Sequence, residues 1–212
     1  MIVKFSKKLS IIFMAAVLSL LSGCASLMDG LTPVESSQIF DLLPLKSGSV
    51  TGKSVNFSLS ISEPKAAKIL STDMVLVRPS PVVVQYYENI LWSDNIARLV
   101  HRRMIQAFED SQRVKSVGAR ADGFDTQYDL VMEIRDFHIE PSLRTDPDNL
   151  KPLRVNVSLY VKLVDEKTAQ VVKSTRISRR EEIYVESAHE IALAFNKAFG
   201  KIAVSVVHWT LK

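Results

Sequence analysis

The chain has 212 residues, 47% hydrophobic and 24% charged, with a formal net charge of +4; that is enough for one domain with a sizeable core, and too apolar for long disorder. A single cysteine excludes a disulfide framework within the chain. The basic surplus sits at the start, in Lys4, Lys7 and Lys8. Taking those three from the 27 basic residues leaves 24 against 23 acidic, so the clustered surplus of a nucleic-acid surface is missing.

Residues 1–23 are expected to be a secretory signal. The lysines form its charged head, and the apolar run from Leu9 to Leu21 falls short of the roughly 20 residues that span a bilayer. Leu21-Ser22-Gly23-Cys24 follows and resembles the lipobox of bacterial lipoproteins, in which the cysteine sulfur takes a diacylglyceryl group, the peptide is cut before it and the new N-terminus is acylated. Cys24 is thus the expected lipidation site. Several acyl chains, at about 0.8 kcal/mol per buried CH₂, anchor a protein for good where one chain is marginal. Residues 24–38 are expected as lipidated N-terminus and tether: Gly30, Pro33, Ser36 and Ser37 interrupt any periodicity, and the fourteen residues after Cys24 reach about 50 Å when extended. Residues 39–212 are expected as a single domain.

Within it, Ile39 to Pro44 is a short strand candidate, followed by a turn-rich loop from Lys46 to Lys53. Val55, Phe57, Leu59 and Ile61 alternate with polar residues and predict a half-buried strand ended by Pro64. Asp73 to Arg78 and Pro81 to Tyr87, parted by Pro79-Ser80-Pro81, read as a hairpin. Ser93 is the expected cap of a helix whose positive end Asp94 strengthens; Ile96, Leu99, Val100, Met104, Ala107 and Phe108 form its apolar stripe. Val114 to Val117 predicts a brief edge strand. Tyr128, Leu130, Met132 and Ile134 then alternate, and Phe137 and Ile139 continue on the opposite parity, which predicts a bulge near Arg135 or Asp136. A polar, proline-bounded loop spans Pro141 to Pro152. Val155 to Leu163 is the cleanest alternation, and Asp165-Glu166-Lys167-Thr168 turns it into a return strand reaching Tyr184. Ser187-Ala188-His189-Glu190 is a capping-box pattern; the stripe Ile191, Phe195, Ala198, Phe199, Ile202, Val206 and Trp209 makes the following helix the main lid on the sheet. The expected fold is α+β, a two-layer sandwich of a mostly antiparallel sheet with two long helices on one face.

Motifs of catalysis are absent. His101, His138, His189 and His208 lack metal-ligand spacing, so no metal and no cofactor are expected. No phosphate-cradling glycine loop and no nucleophile elbow occur. Asp129, Glu133 and Asp136 share a strand and read as solvent-facing acids rather than a catalytic pair. Glu181 and Glu182 beside Arg179 and Arg180 read as a solvated, self-neutralising edge. No catalytic residue is assigned.

Residues 69–117 carry a family resemblance. Leu70-Ser71-Thr72-Asp73 opens a hydrophobic strand, Tyr86 precedes Trp92-Ser93-Asp94 at the approach to the first long helix, and Val114 to Val117 follows that helix. With the lipobox, the tether and Ile39-Phe40-Asp41-Leu42, this order resembles the ABC-type transport auxiliary lipoprotein family, which includes the paraquat-inducible C lipoprotein. The resemblance implies a non-enzymatic envelope lipoprotein that works with an ABC permease and ATPase and a Mce-domain protein, moving lipid between membranes. Family members are thought to sit at the outer membrane, on its periplasmic face, and some form homo-oligomeric rings; Ala25, where aspartate commonly retains lipoproteins in the inner membrane, leans the same way. Trp92 reads first as a packing residue before the helix, while Tyr86, Tyr87 and Trp92 together are the candidate aromatic contact for a partner or lipid chain. The other function considered is an envelope assembly or scaffolding lipoprotein that handles no lipid.

Overall fold

A computed structural model describes residues 37–46, 48–143 and 152–212. The expected signal, Cys24, the tether up to Ser36 and residues 144–151 of the polar loop lie outside the described residues. In chain order the elements are β1 (Gln38–Phe40), β2 (Ser58–Ile61), β3 (Lys65–Ala66), β4 (Met74–Ser80), β5 (Val83–Trp92), α1 (Ile96–Ser111), β6 (Ser116–Ala119), β7 (Tyr128–Pro141), β8 (Leu153–Asp165), β9 (Val171–Ile183) and α2 (Ala188–Thr210).

All nine described strands belong to one curled sheet built on β7. Along one edge β7 pairs antiparallel with β8, which pairs antiparallel with β9. Its other edge is shared by three short segments in succession: β2 against Tyr128 to Leu130, β3 against Glu133 and Ile134, β4 against His138 and Ile139. All three run parallel to it. β6 extends the sheet parallel to β2, and β1 lies parallel to β5 beyond the β4–β5 hairpin.

The sheet is therefore mixed, not mostly antiparallel. Parallel neighbours need a long crossover, and α1, which follows β2, β3 and β4 and precedes β7, lies within the connection. Hairpins announce themselves through a short turn between two alternating runs, whereas a crossover pairing leaves no such local mark. The β4–β5 turn also moves: β4 runs on through Pro79 to Ser80, and β5 extends to Trp92 through an irregular register that holds Asn89 at φ 58°.

The core follows the expected stripes. Leu99, Val100, Met104 and Phe108 of α1, the odd-numbered residues from Val155 to Leu163 of β8, and Ile191, Phe195, Phe199 and Ile202 of α2 are buried. The bulge in β7 lies between Ile134 and Asp136, so Ile134 and Phe137 both reach the core. By length and composition α2 could cross a membrane; here its apolar stripe is spent on β8 and β9. At its start Ser187 Oγ accepts from the Glu190 N–H at 3.2 Å, while the Ser187 N–H donates to Val185 O, so the reciprocal half of a capping box is replaced by a backbone bond.

The cap of α1 is Asn95, not Ser93. The Asn95 Oδ1 accepts from the Ala97 N–H at 2.9 Å, whereas Ser93 donates its N–H to Phe40 O at 2.7 Å and ties the start of the helix to β1. Asp94 still serves the helix end, through an ion pair with Arg98 at 2.9 Å. Asn95→Ala should accordingly cost about 1 kcal/mol, and Ser93→Ala less than about 0.5 kcal/mol, in urea denaturation; equal effects would put the cap elsewhere.

Candidate functional site: an apolar groove with a cationic rim

The segment after β1 has no regular structure of its own and is strapped to both helices. Leu42 is fully buried and acts as its plug. On the α1 side, Arg103 binds the Asp41 carboxylate at 2.8 Å and donates its Nε–H to Leu42 O. On the α2 side, Asn196 Oδ1 accepts from the Leu43 N–H at 2.6 Å while its Nδ2 donates to Asp41 O at 3.1 Å. Beside these straps Leu43 to Lys46 and Ser49 border α2 and leave a groove of about 580 Å³, a volume within the range of small-molecule sites.

Leu43, Pro44, Leu45 and Val204 supply its apolar walls, and Gly200 its floor. Leu43 is 58% exposed, so this wall is open to solvent. A Cβ added at Gly200 would meet only Leu45, at 3.7 Å, so the groove is open because α2 carries no side chain there.

Lys46, Arg179, Lys197 and Lys201 line the rim. Beneath them Glu181, 8% exposed on β9, binds Lys197 at 2.8 Å and Lys201 more closely. Burial pushes the Glu181 carboxyl up, but the bonds from Lys197 and Lys201 outweigh it and hold it below its ordinary 4.5; the same bond raises Lys197. Arg179 is fixed by Ser205 Oγ at 2.9 Å. Four cations against one carboxylate leave the mouth positive. Apolar walls under a positive mouth suit an anionic amphiphile.

Sequence reasoning did not find this groove. Two marks of it were present: a lone glycine inside an otherwise unbroken helical stripe, and Lys197 and Lys201 four residues apart, a like-charged pair that destabilises a helix unless an acid lies against it. That acid, Glu181, belongs to the stretch expected to be a solvated edge. Strand alternation separates that stretch instead: Arg179 and Glu181 face α2, while Arg176 and Arg180 reach across β8 to Asp136 and Glu140 on β7.

The predicted aromatic contact is not brought together. Trp92 is 3% exposed and stands edge-on to Phe137 and Phe195, at 5.7 and 5.3 Å between ring centres, so packing takes up the faces it would offer a partner. Tyr86 is exposed, with its hydroxyl 3.4 Å from Ile69 O. Tyr87, the next residue along β5, is half-buried and donates to Glu186 at 3.0 Å; burial, then that carboxylate, raise its pKa. Neither tyrosine lines the groove. The three strand acids do not converge either. Asp129 is buried, accepting from Ser60 and Ser62 and paired with Arg120, which corrects its expected exposure; Glu133 pairs with Arg135 and Asp136 with Arg176.

The model of the ABC-type transport auxiliary lipoprotein component family matches residues 40–207. The chain belongs to that family. That family is one of auxiliary lipoproteins of ABC-type transport and is not an enzyme family. The auxiliary lipoprotein fold is similar to the crystal structure of protein XCC0632 from Xanthomonas campestris, with a TM-score of 0.74 at 22% identity over 82% of this chain and 95% of that one. A second crystal structure, of an uncharacterised protein, gives a TM-score of 0.63 at 11% identity over 82% and 99%. In sequence the chain is 30% identical over 196 residues to the uncharacterised protein bll6063 of Bradyrhizobium diazoefficiens, covering 91% of this chain but 49% of that relative, so it spans about half the relative's length.

The rim carries a pH prediction. Because Glu181 is depressed on folding, the unfolded chain takes up its proton first as pH falls. The stability it contributes is full above 4.5 and lost as pH drops below that through the folded value. Glu181→Gln should therefore be less stable than the parent at pH 7, with the difference shrinking below pH 4.5 in urea melts. An unchanged difference at acid pH would remove Glu181 from the rim's electrostatics.

Proposed function

We propose that this auxiliary lipoprotein is a lipid-anchored periplasmic subunit of an ABC/Mce-type intermembrane lipid transport system. It is anchored through Cys24 at the outer membrane, meets the Mce-domain conduit there, and takes lipid at the groove between Leu43–Lys46, Ser49 and α2. The single observation that carries the lipid reading is that groove: an exposed Leu43, an open floor at Gly200 and four rim cations suit an acyl chain below an anionic head. The role is non-enzymatic, in keeping with strand acids that are each engaged in a bond or ion pair. Tyr86, exposed on β5, is the member of the aromatic trio that remains open to a partner. The polar face of β7, β8 and β9 away from α2, knit by ion pairs across three strands, favours the second reading, an envelope scaffold that handles no lipid.

Gly200→Leu separates the two. It fills the groove while improving helix propensity by roughly 1 kcal/mol. Incubated with phosphatidylcholine vesicles containing a fluorescent phosphatidylglycerol, the full chain should bind the labelled lipid, and Gly200→Leu should bind it at least about fivefold less, a loss near 1 kcal/mol, with its helical circular dichroism intact. Equal binding would favour the scaffold. Separately, Cys24→Ala should leave a folded protein in the soluble fraction, and the intact lipoprotein should recover permease, ATPase and Mce-domain components from envelope membranes. A variant that stays membrane-bound and functional would remove the anchor from the account.

A further inference from the structure

A second cavity, of about 540 Å³, opens on the opposite face of the sheet from α2, where the β4–β5 turn meets the ends of β7 and β8. Its polar lining comes from three neighbouring strands. The registers Leu76↔His138 and Val77↔Ile139 bring Arg78 beside Glu140, and Glu140 and His138 lie opposite Arg154 and Asn156.

The acids of this cavity are already satisfied. Glu140 accepts from Arg154 Nε at 2.8 Å, from Arg180 at 3.3 Å and from His138 Nε2 at 3.3 Å; Asp136 is held by Arg176 at 2.8 Å. Burial keeps His138, 3% exposed, below its ordinary 6.5. Two groups stand outside this network. The buried Nε of Arg78 and the buried Oδ1 of Asn156 have no hydrogen-bond partner among the described residues, and Asn156 is 5% exposed. Leaving such groups unpaired carries their full desolvation cost. They line the same cavity, one as a cationic donor with no ion pair of its own among the described residues and the other as a neutral acceptor.

We propose that this cavity is a binding site for a phosphate monoester, held by the Arg78 guanidinium through its anionic oxygens and by Asn156 through the phosphate's own proton. A carboxylate or a sulfate would serve Arg78 but offers Asn156 Oδ1 no donor. A phosphate monoester, with a second pKa of about 6, carries a P–OH as well as charged oxygens near neutrality. Charge-assisted bonds to a planar guanidinium supply the affinity. Pro79, Pro81, Pro141 and Leu143 make the mouth apolar, which suits the carbon part of an ester. The site is independent of the groove: the sheet lies between them and they share no lining residue.

The test is calorimetric titration of the full chain in detergent micelles at constant ionic strength with inorganic phosphate, sulfate and glycerol 3-phosphate. Saturable binding of phosphate at least about tenfold tighter than sulfate, a gap near 1.4 kcal/mol, is expected at pH 6; Arg78→Gln should weaken it about tenfold or more, and Gly200→Leu should leave it unchanged. Arg78 is only half-buried, so its variant should fold, as circular dichroism will show; the preference for phosphate over sulfate needs no variant at all. Flotation with phosphatidylcholine vesicles, with and without phosphatidic acid, tells a lipid headgroup from a soluble ester. Absence of saturable phosphate binding, equal affinity for sulfate, or binding undiminished in a folded Arg78→Gln would each overturn the proposal, whatever the groove does with lipid.

Discussion

Strand β7 fixes the rest of the molecule because, over its fourteen residues, one edge is paired along its length and the other at three places. Antiparallel β8 takes one edge whole, and three short parallel segments share the other. A strand with backbone partners on both sides has few orphan donors and acceptors, which lets it stay buried. The bulge between Ile134 and Asp136 is what makes that length usable. Without the extra residue, Phe137 and Ile139 would turn to the polar face and Asp136 and His138 into the core, a reversal of every later side chain on the strand. With it, Phe137 lies stacked on Phe195 at 4.9 Å between ring centres and beside Trp92, so β5, β7 and α2 meet in one aromatic cluster.

Much of this was legible in the sequence, and the reasons are local. The parity change after Ile134, the stripes of both helices, the alternation of β8 and the turn at Asp165 to Thr168 are properties of neighbouring residues, and each corresponds to an observed element. Pairing was not legible. That β2, β3 and β4 run parallel to β7 depends on where a crossover lands the chain, and no residue within those strands records it. The N-cap slipped by two residues because Ser93, Asp94 and Asn95 are all acceptable caps by type; the bond from Ser93 to Phe40 on a distant strand decides between them. The groove was hidden for the same reason. Its floor is one glycine and its wall is a loop from the other end of the chain, joined through Asn196.

The charged run on β9 shows how a composition read as bland becomes specific. A residue-by-residue view gives arginines beside glutamates that neutralise one another. In the sheet, alternation sends adjacent residues to opposite faces, so Arg180 and Glu181 are not partners at all: Glu181 gathers Lys197 and Lys201 from α2, and Arg180 reaches Glu140 on β7. An acid with 8% exposure would be costly if unpaired. Its two lysines relieve that cost and at the same time are held at the groove rather than left free in solvent.

One strand therefore supplies both sites, and its register becomes the quantity that matters. Arg179 and Glu181 build the rim on the α2 side, while Arg176 and Arg180 occupy the acids of the far cavity and leave the Arg78 Nε without a hydrogen-bond partner among the described residues. A slip of one residue would exchange the two sets and destroy both sites together. The turn before β9 guards against this: Asp165 Oδ1 accepts from the Thr168 N–H at 2.8 Å and from its hydroxyl at 3.0 Å, and Ala169 takes a left-handed φ of 56° to close it. Those bonds hold the Asp165 carboxyl below its ordinary range. The continuous ladder from Leu163 to Leu153 then carries that register, through one irregularity near the turn, to the residues at each cavity. The sites are specified by a turn up to about 40 Å away along an extended strand of thirteen residues at about 3.3 Å each, a distance bridged by backbone hydrogen bonds and not by any contact between the turn and the sites.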